Sequence, residues 1–169
     1  MTLADLIAIK PYDWHSIGTA LLCGTIIGLE RQLRGKPVGI RTSTLITLGT
    51  YMFVVSGQIV SVGMADPSRV IGQIITGIGF LGAGVMLARD GIVVGVTSAA
   101  TIWALAGLGV CIGLGEQATA VKLSLVIVAV LSGVDLLEDY SQNFTRGIYR
   151  RYQKWRGKAV KDSVFKKEA

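Results

Sequence analysis

The chain is short of charge, histidine, cysteine and proline, and each shortage removes a class of protein. Of 169 residues only 17% are charged, where a soluble domain carries about a quarter. With a mean hydropathy of +0.56, this excludes a disordered chain and an ordinary soluble enzyme. There is a single histidine, His15, and no Ser/His/Asp set, zinc spacing or phosphate-binding loop accompanies it, so no enzyme and no cofactor are expected. The two cysteines, Cys23 and Cys111, both sit in apolar runs, which excludes a disulfide scaffold. What is plentiful is hydrophobic side chain, 51% of residues, and glycine, 22 in all. That balance fits one small bundle of helices in a membrane, with no length left for a second large domain.

Charge marks the segments. Uncharged stretches cover residues 14–29, 42–65, 70–88 and 91–115, and a fifth, 118–134, holds only Lys122. A helix crosses hydrocarbon with about 20 residues, within a range of about 17–25. The first and last stretches are short for this, but Tyr12, Trp14 and His15 suit an interfacial belt and Lys122 can snorkel. The expectation is therefore an all-α integral membrane protein, a bundle of about five transmembrane helices, with four as the alternative. Five spans sort the 17 basic residues 14 to 3, with Lys10, Arg69 and Lys122 in the minority. The positive-inside rule then puts the N-terminus outside and the C-terminus in the cytoplasm.

The chain so divides into an outer segment, 1–13, a transmembrane domain, 14–140, and a basic cytoplasmic tail, 141–169. Asp5 and Asp13 before the first run, with no small-residue cleavage site after it, argue against a removable signal peptide. In the tail, Ile148, Tyr152, Trp155 and Ala159 fall at helical spacing among basic residues. Such a partly amphipathic helix should rest on the anionic cytoplasmic leaflet. Membrane tethering accounts for the charge, so nucleic acid is not expected as a partner.

Turns and glycines shape the bundle. Gly35-Lys36-Pro37-Val38-Gly39 reads as a turn, Asp66-Pro67-Ser68-Arg69 as a helix start, and Arg89-Asp90-Gly91 as a connection so short that its two spans form an antiparallel hairpin. Gly77, Gly79, Gly82, Gly84, Gly91 and Gly95 gather there. Small residues four apart let helices touch in lipid, a spacing found at Gly24/Gly28, Gly91/Gly95 and Gly109/Gly113. Helix packing is one reading of this glycine; an unwound stretch over residues 77–84 that exposes carbonyls, as in transporter sites, is the other.

Polar residues at span ends are the remaining candidates. Glu30 and Arg31 close the first span, Arg41 opens the second, Gln73 lies in the third, and Thr97, Ser98 and Thr101 lie in the fourth. They read as an interfacial ion-pair cluster, or as a cytoplasm-facing polar site of Glu30, Arg41 and Gln73 with Thr97 and Thr101 nearby. Asp135, Glu138 and Asp139 share one helix face. Oxygens so spaced suit a hard cation such as Mg²⁺, or form a solvated cap facing the basic tail; no metal site is assigned to them.

Five blocks, in order, resemble the MgtC/SapB family of bacterial inner-membrane proteins: Gly28-Leu29-Glu30-Arg31-Gln32, Gly39-Ile40-Arg41-Thr42, Asp66-Pro67-Ser68-Arg69 with Gln73, Gly77-Ile78-Gly79-Phe80-Leu81-Gly82-Ala83-Gly84, and Gly95-Val96-Thr97-Ser98-Ala99-Ala100-Thr101-Ile102-Trp103. The likeness covers residues 17–137. Ser43 and Ser98 depart from it, standing where Asn or His, and Thr, are common in the family. The resemblance implies a multi-pass inner-membrane protein tied to adaptation to low magnesium and, in pathogens, to survival in host cells. It also implies a form without the folded cytoplasmic domain that relatives carry after the spans. By resemblance, Glu30, Arg31, Arg41, Arg69, Gln73 and Thr97 are the residues carried over.

Two functions are expected from these features. The first is a non-enzymatic regulator that packs against itself or another inner-membrane protein, since glycine is abundant and no ionisable residue lies mid-span. The second is a transporter or channel for Mg²⁺ or another small solute, with its polar site at the cytoplasmic end. Because five short spans with small-residue faces can hardly enclose a pathway alone, a homodimer is expected.

Overall fold

The computed structural model describes residues 8–60, 67–89 and 92–140, the side chains of 60, 67, 89, 92 and 134–140 excepted. Its elements in chain order are α1 (Trp14–Leu33), α2 (Ile40–Val60), α3 (Pro67–Gly84), β1 (Leu87–Arg89), β2 (Ile92–Val94), α4 (Val96–Gly113) and α5 (Gln117–Tyr140). The fold is thus mostly helical, and each apolar run carries a helix. The chain divides into two compact units, residues 1–129 and 130–169. The first holds every element up to most of α5; the described part of the second is the end of that helix.

Local chemistry sets the helix ends. Asp13 caps α1: its Oδ1 accepts the Ser16 backbone N–H at 2.7 Å, satisfying one of the donors a helix start leaves free. The exit of α1 closes with Gly35 at φ 62, where the Gly35 and Lys36 N–H groups donate to the Gln32 and Arg31 carbonyls, a turn only a residue tolerant of positive φ takes cheaply. Pro67 opens α3, where its missing N–H costs nothing; Asp66 lies outside the described residues.

The third and fourth apolar runs correct one expectation, because they are not helical up to a bare turn. Leu87–Arg89 and Ile92–Val94 pair as a short antiparallel ladder, Leu87 facing Val94 and Ala88 facing Val93. The run Ile92-Val93-Val94 is β-branched throughout, which favours extended backbone. Gly95, at φ 92, then turns the chain into α4, and a Cβ there would collide with the Val85 carbonyl oxygen. Gly95 is therefore a cap and not a helix-packing residue.

Three helices form the core, and glycine lets them touch. A Cβ on Gly24 would lie 2.6 Å from Thr44 Cα, and one on Gly28 2.5 Å from Ile40 Cα, so α1 and α2 meet backbone to backbone, antiparallel. Similarly Gly109 abuts Thr47 O at 2.6 Å and Gly113 abuts Val54 at 2.6 Å, packing α4 parallel to α2. Both pairs have the four-residue spacing that brings helices close in lipid. α3 is seated differently. It runs antiparallel to α2 and α4, with Val70 against Gly57 and Gly82 in ordinary contact with Ala99. Among the described residues, Gly72, Gly77, Gly79 and Gly84 have nothing within 4 Å of a Cβ position. The helix is continuous to Gly84, so its glycines are not unwound.

The core mixes apolar side chains such as Ile27, Tyr51, Ile102 and Leu105 with hydroxyls, and large apolar side chains also line the outside. Among the described residues Ser16, Thr19, Ser43, Thr47, Thr50, Ser98, Thr101 and Ser124 are buried, while Trp14, Leu22, Leu45, Phe53, Phe80, Trp103 and Leu125 are exposed. Four of these hydroxyls donate to a carbonyl within their own helix, Thr19 to His15, Thr47 to Ser43, Thr101 to Thr97 and Ser124 to Val121, which pairs those donors inside the bundle. By length and apolar content combined, Val96–Gly113 is the one described helix that qualifies outright as a membrane span. Of the other four, which contain 18 to 24 residues, α5 has a shorter apolar stretch, Gln117–Gly133, and the first three interleave their apolar residues with hydroxyls, glycine or charge.

Candidate functional site

The two ends of the bundle have distinct chemistry. At the Asp13 end, Tyr51 donates to Asp13 Oδ2 and accepts the Asp13 backbone N–H, both at 3.2 Å, and the Tyr12 hydroxyl pairs with Ser56 Oγ at 2.8 Å. Gln117 Nε2 donates to Ser16 Oγ at 3.0 Å and Gln58 Nε2 to the Gly113 carbonyl at 3.2 Å. These bonds fasten the start of α1 to α2 and α5, and α2 to α4. Donation by the Ser16 backbone N–H, then its hydroxyl and Tyr51, holds the Asp13 carboxyl below its ordinary value.

At the opposite end, charge is buried. Glu30 and Arg31, in the last turn of α1, are 8% and 3% exposed. Arg31 Nη2 donates to Ser98 Oγ, in the first turn of α4, at 3.2 Å, a bond joining two helices distant in sequence. Arg31 Nη1 stands 3.8 Å from Glu30 Oε2, long because neighbouring helix positions point apart. Arg34 Nε lies 2.7 Å from Glu30 Oε1, close enough for an ion pair but with its N–H aimed aside. Both Glu30 oxygens and Arg31 Nε accordingly have no hydrogen-bond partner among the described residues. Buried polar atoms are nearly always paired, so this carboxylate keeps unspent acceptor capacity.

The loop below it is strained. Val38 is buried at φ 69, a genuine outlier for a β-branched residue, and its carbonyl accepts the Ser43 hydroxyl at 3.0 Å. Gly39 faces Gln32 Oε1, which would lie 3.2 Å from a Cβ. The tight α1–α2 approach at Gly28 and Ile40 leaves the connecting residues little room, and Val38 takes up the difference.

The structure splits the sequence candidates into three groups. Glu30 and Arg31 come together, and Thr101 is buried one turn beyond Ser98. Arg41 and Thr97 lie at this end on exposed positions. Arg69 and Gln73 do not join them: α3 starts at the Asp13 end, where Val70 meets Gly57, some 17 residues along α2 from Ile40, or about 25 Å at 1.5 Å per residue. Ser98, in sequence one of three polar residues of the fourth span and a departure from the family pattern, is the residue that holds Arg31. The buried stripe Ser98, Thr101, Leu105, Leu108, Ile112 has helical spacing that selects it over Thr97.

The remaining candidates are placed elsewhere or not described. Gly77, Gly79 and Gly84 touch nothing among the described residues, and Gly82 makes only ordinary contact. Gly91 and the tail 141–169 lie outside the described residues, as do the side chains of Asp135, Glu138 and Asp139. Among the described residues no group of three or more His, Cys, Asp or Glu gathers. With two guanidinium groups beside its one carboxylate, the Glu30 site repels a cation and suits a hydrogen-bond donor.

The profile of the MgtC family matches residues 17–140. The chain is 41% identical over 120 residues to the Escherichia coli (strain K12) protein named "Putative magnesium transporter YhiD", covering 66% of this chain and 55% of that one. It is 44% identical over 111 residues to Protein MgtC of Brucella abortus (strain 2308), 66% of this chain and 46% of the relative. To Protein MgtC of Salmonella typhimurium (strain LT2) it is 42% identical over 108 residues, 64% and 46% of the two chains. The chain thus spans about half the length of the curated relatives it matches. No solved structure matches it.

Proposed function

The chain belongs to the MgtC family, and from that premise we propose that it is a non-enzymatic, multi-pass protein of the bacterial inner membrane that modulates another membrane protein or ion balance under magnesium limitation. The observation that carries the membrane reading is the apolar exterior: tryptophan, phenylalanine and leucine stand outside, while hydroxyls and an Arg–Glu pair share the inside with apolar side chains. In water such a surface would be an aggregation patch; in lipid it costs nothing. The basic residues Arg31, Arg34, Lys36 and Arg41 all lie at the α1–α2 connection, which supports placing that end of the bundle in the cytoplasm.

The modulator reading draws on the Glu30 site. Its spare oxygens accept hydrogen bonds, yet the flanking Arg31 and Arg34 make it unwelcoming to Mg²⁺, which demands several carboxylate and water oxygens. The name of the Escherichia coli relative and those same spare acceptor oxygens favour a second reading, a transporter of magnesium or another small solute with this site on its path. Purified protein in liposomes decides between them. The expected result is no Mg²⁺ uptake above empty vesicles; saturable uptake abolished by Glu30→Gln would overturn the modulator reading.

A further inference from the structure

We propose that the open face of α3 is where a second copy of this chain docks, about a two-fold axis that sets Gln73 of one copy against Gln73 of the other. The proposal rests on α3 lying within the membrane.

Gln73 is exposed on α3, beside an apolar groove of about 450 Å³ between α2 and α3 that Phe53, Val70, Ile74, Gly77 and Leu81 help to line. Six residues into the helix, it sits about 9 Å beyond the start of α3. Its amide has no partner in this chain among the described residues, and an amide left unpaired in hydrocarbon is costly. A carboxamide carries both donor and acceptor. An identical amide across a two-fold axis therefore satisfies it, which an acyl chain cannot do.

The surroundings fit a helix and not only a side chain. Gln73, Gly77, Phe80 and Gly84 form one stripe at helical spacing, and a Cβ placed on Gly77 or Gly84 would meet no described atom within 4 Å. The glycines that pack the core are all occupied; these are not. Phe53 and Phe80 are 66% and 83% exposed. At 150–250 Å² per buried ring they offer roughly 300 Å² per copy, about 600 Å² for a pair. With the groove walls added, that is a large part of the about 1,000 Å² of a specific interface.

The test uses the full chain with Cys23 and Cys111 replaced by alanine. Alkaline extraction comes first: release from membranes would overturn both the membrane reading and this proposal, whereas retention leaves the proposal to the second step. There, Gln73→Cys and Gly77→Cys are oxidised in native membranes beside Leu22→Cys on α1. Dimer-sized product is expected from the first two and little from the third. In mild detergent, Gln73→Leu should weaken self-association about tenfold and Gln73→Asn should retain most of it. The proposal is overturned by one-chain mass at all concentrations, by crosslinks that favour Leu22→Cys, or by unchanged association in Gln73→Leu. Any of these would leave lipid or another protein as the cover of this face.

Discussion

Two parts of the bundle use glycine in opposite ways. In α1, α2 and α4 each glycine of the Gly24/Gly28 and Gly109/Gly113 pairs is filled by a neighbouring helix at 2.5–2.6 Å from where a Cβ would stand. In α3, which is the richest in glycine, Gly72, Gly77, Gly79 and Gly84 meet no described neighbour within 4 Å. The same residue marks a finished interface in one region and a bare surface in the other. Glycine content alone therefore says that backbones can approach, and only the occupancy of the missing Cβ says whether they have.

Breaking the core should cost most where charge is buried. Arg31→Leu removes the α1–α4 bond to Ser98 and one of the two cations beside Glu30. Stripping one partner from a buried pair costs about 3–5 kcal/mol; with Arg34 still 2.7 Å away, the lower end is expected. Thermal unfolding in detergent measures it, and Glu30→Gln combined with Arg31→Leu should recover part of the loss. Recovery of nothing would mean that Arg31 acts through packing alone.

Glycine substitutions sharpen the contrast directly. Gly28→Leu drives a side chain into the Ile40 backbone, and overpacking costs roughly 1–3 kcal/mol, here at the upper end because backbone cannot rotate away. Gly79→Ala, by contrast, meets nothing and removes conformational freedom from the unfolded chain, so it should gain about 0.5–1 kcal/mol. Paired melting curves of the two variants test this. If Gly79→Ala destabilised as Gly28→Leu does, α3 would be as tightly held as the core.

A smaller effect is expected at the other end of the bundle. Tyr51→Phe keeps the buried ring and the Tyr12 contact at 6.0 Å between centroids, but removes a hydroxyl that both donates to and accepts from Asp13. A loss of about 1 kcal/mol is expected in the same melts. No change would show that the α1 cap stands without α2.

Much of this division is legible in the sequence, and the misses have physical causes. Hydropathy places a helix in each of the five runs, but α1 continues past Leu29 to Leu33 because its charges are buried against one another and α4 rather than ending the helix in solvent. Hydropathy cannot tell a strand from a helix over Ile92-Val93-Val94, since both are equally apolar. Grouping Gln73 with Glu30 ignores helix direction, which alone separates them. Spacing identifies Gly24/Gly28 and Gly109/Gly113 as contacts yet cannot distinguish them from Gly77 and Gly84, because occupancy depends on elements far away in sequence.

The finest comparison between the two ends is electrostatic. At Asp13 the folded pKa lies below the ordinary 3.8, chiefly because the Ser16 N–H donates to the ionised form. A group whose pKa is depressed on folding stabilises fully above its unfolded value and loses that contribution as pH falls through the folded value. The contribution therefore begins to fall near 3.8 and is lost below the lower folded pKa, and it is constant around neutral pH. Asn is as good a cap as Asp but does not titrate. The melting-temperature difference between the wild type and Asp13→Asn should hold constant from neutral pH down to about 4, then shrink on further acidification. A difference that grew in acid would mean that the carboxyl is held by its neutral form, and that the α1 cap is not a charged bond from the Ser16 N–H.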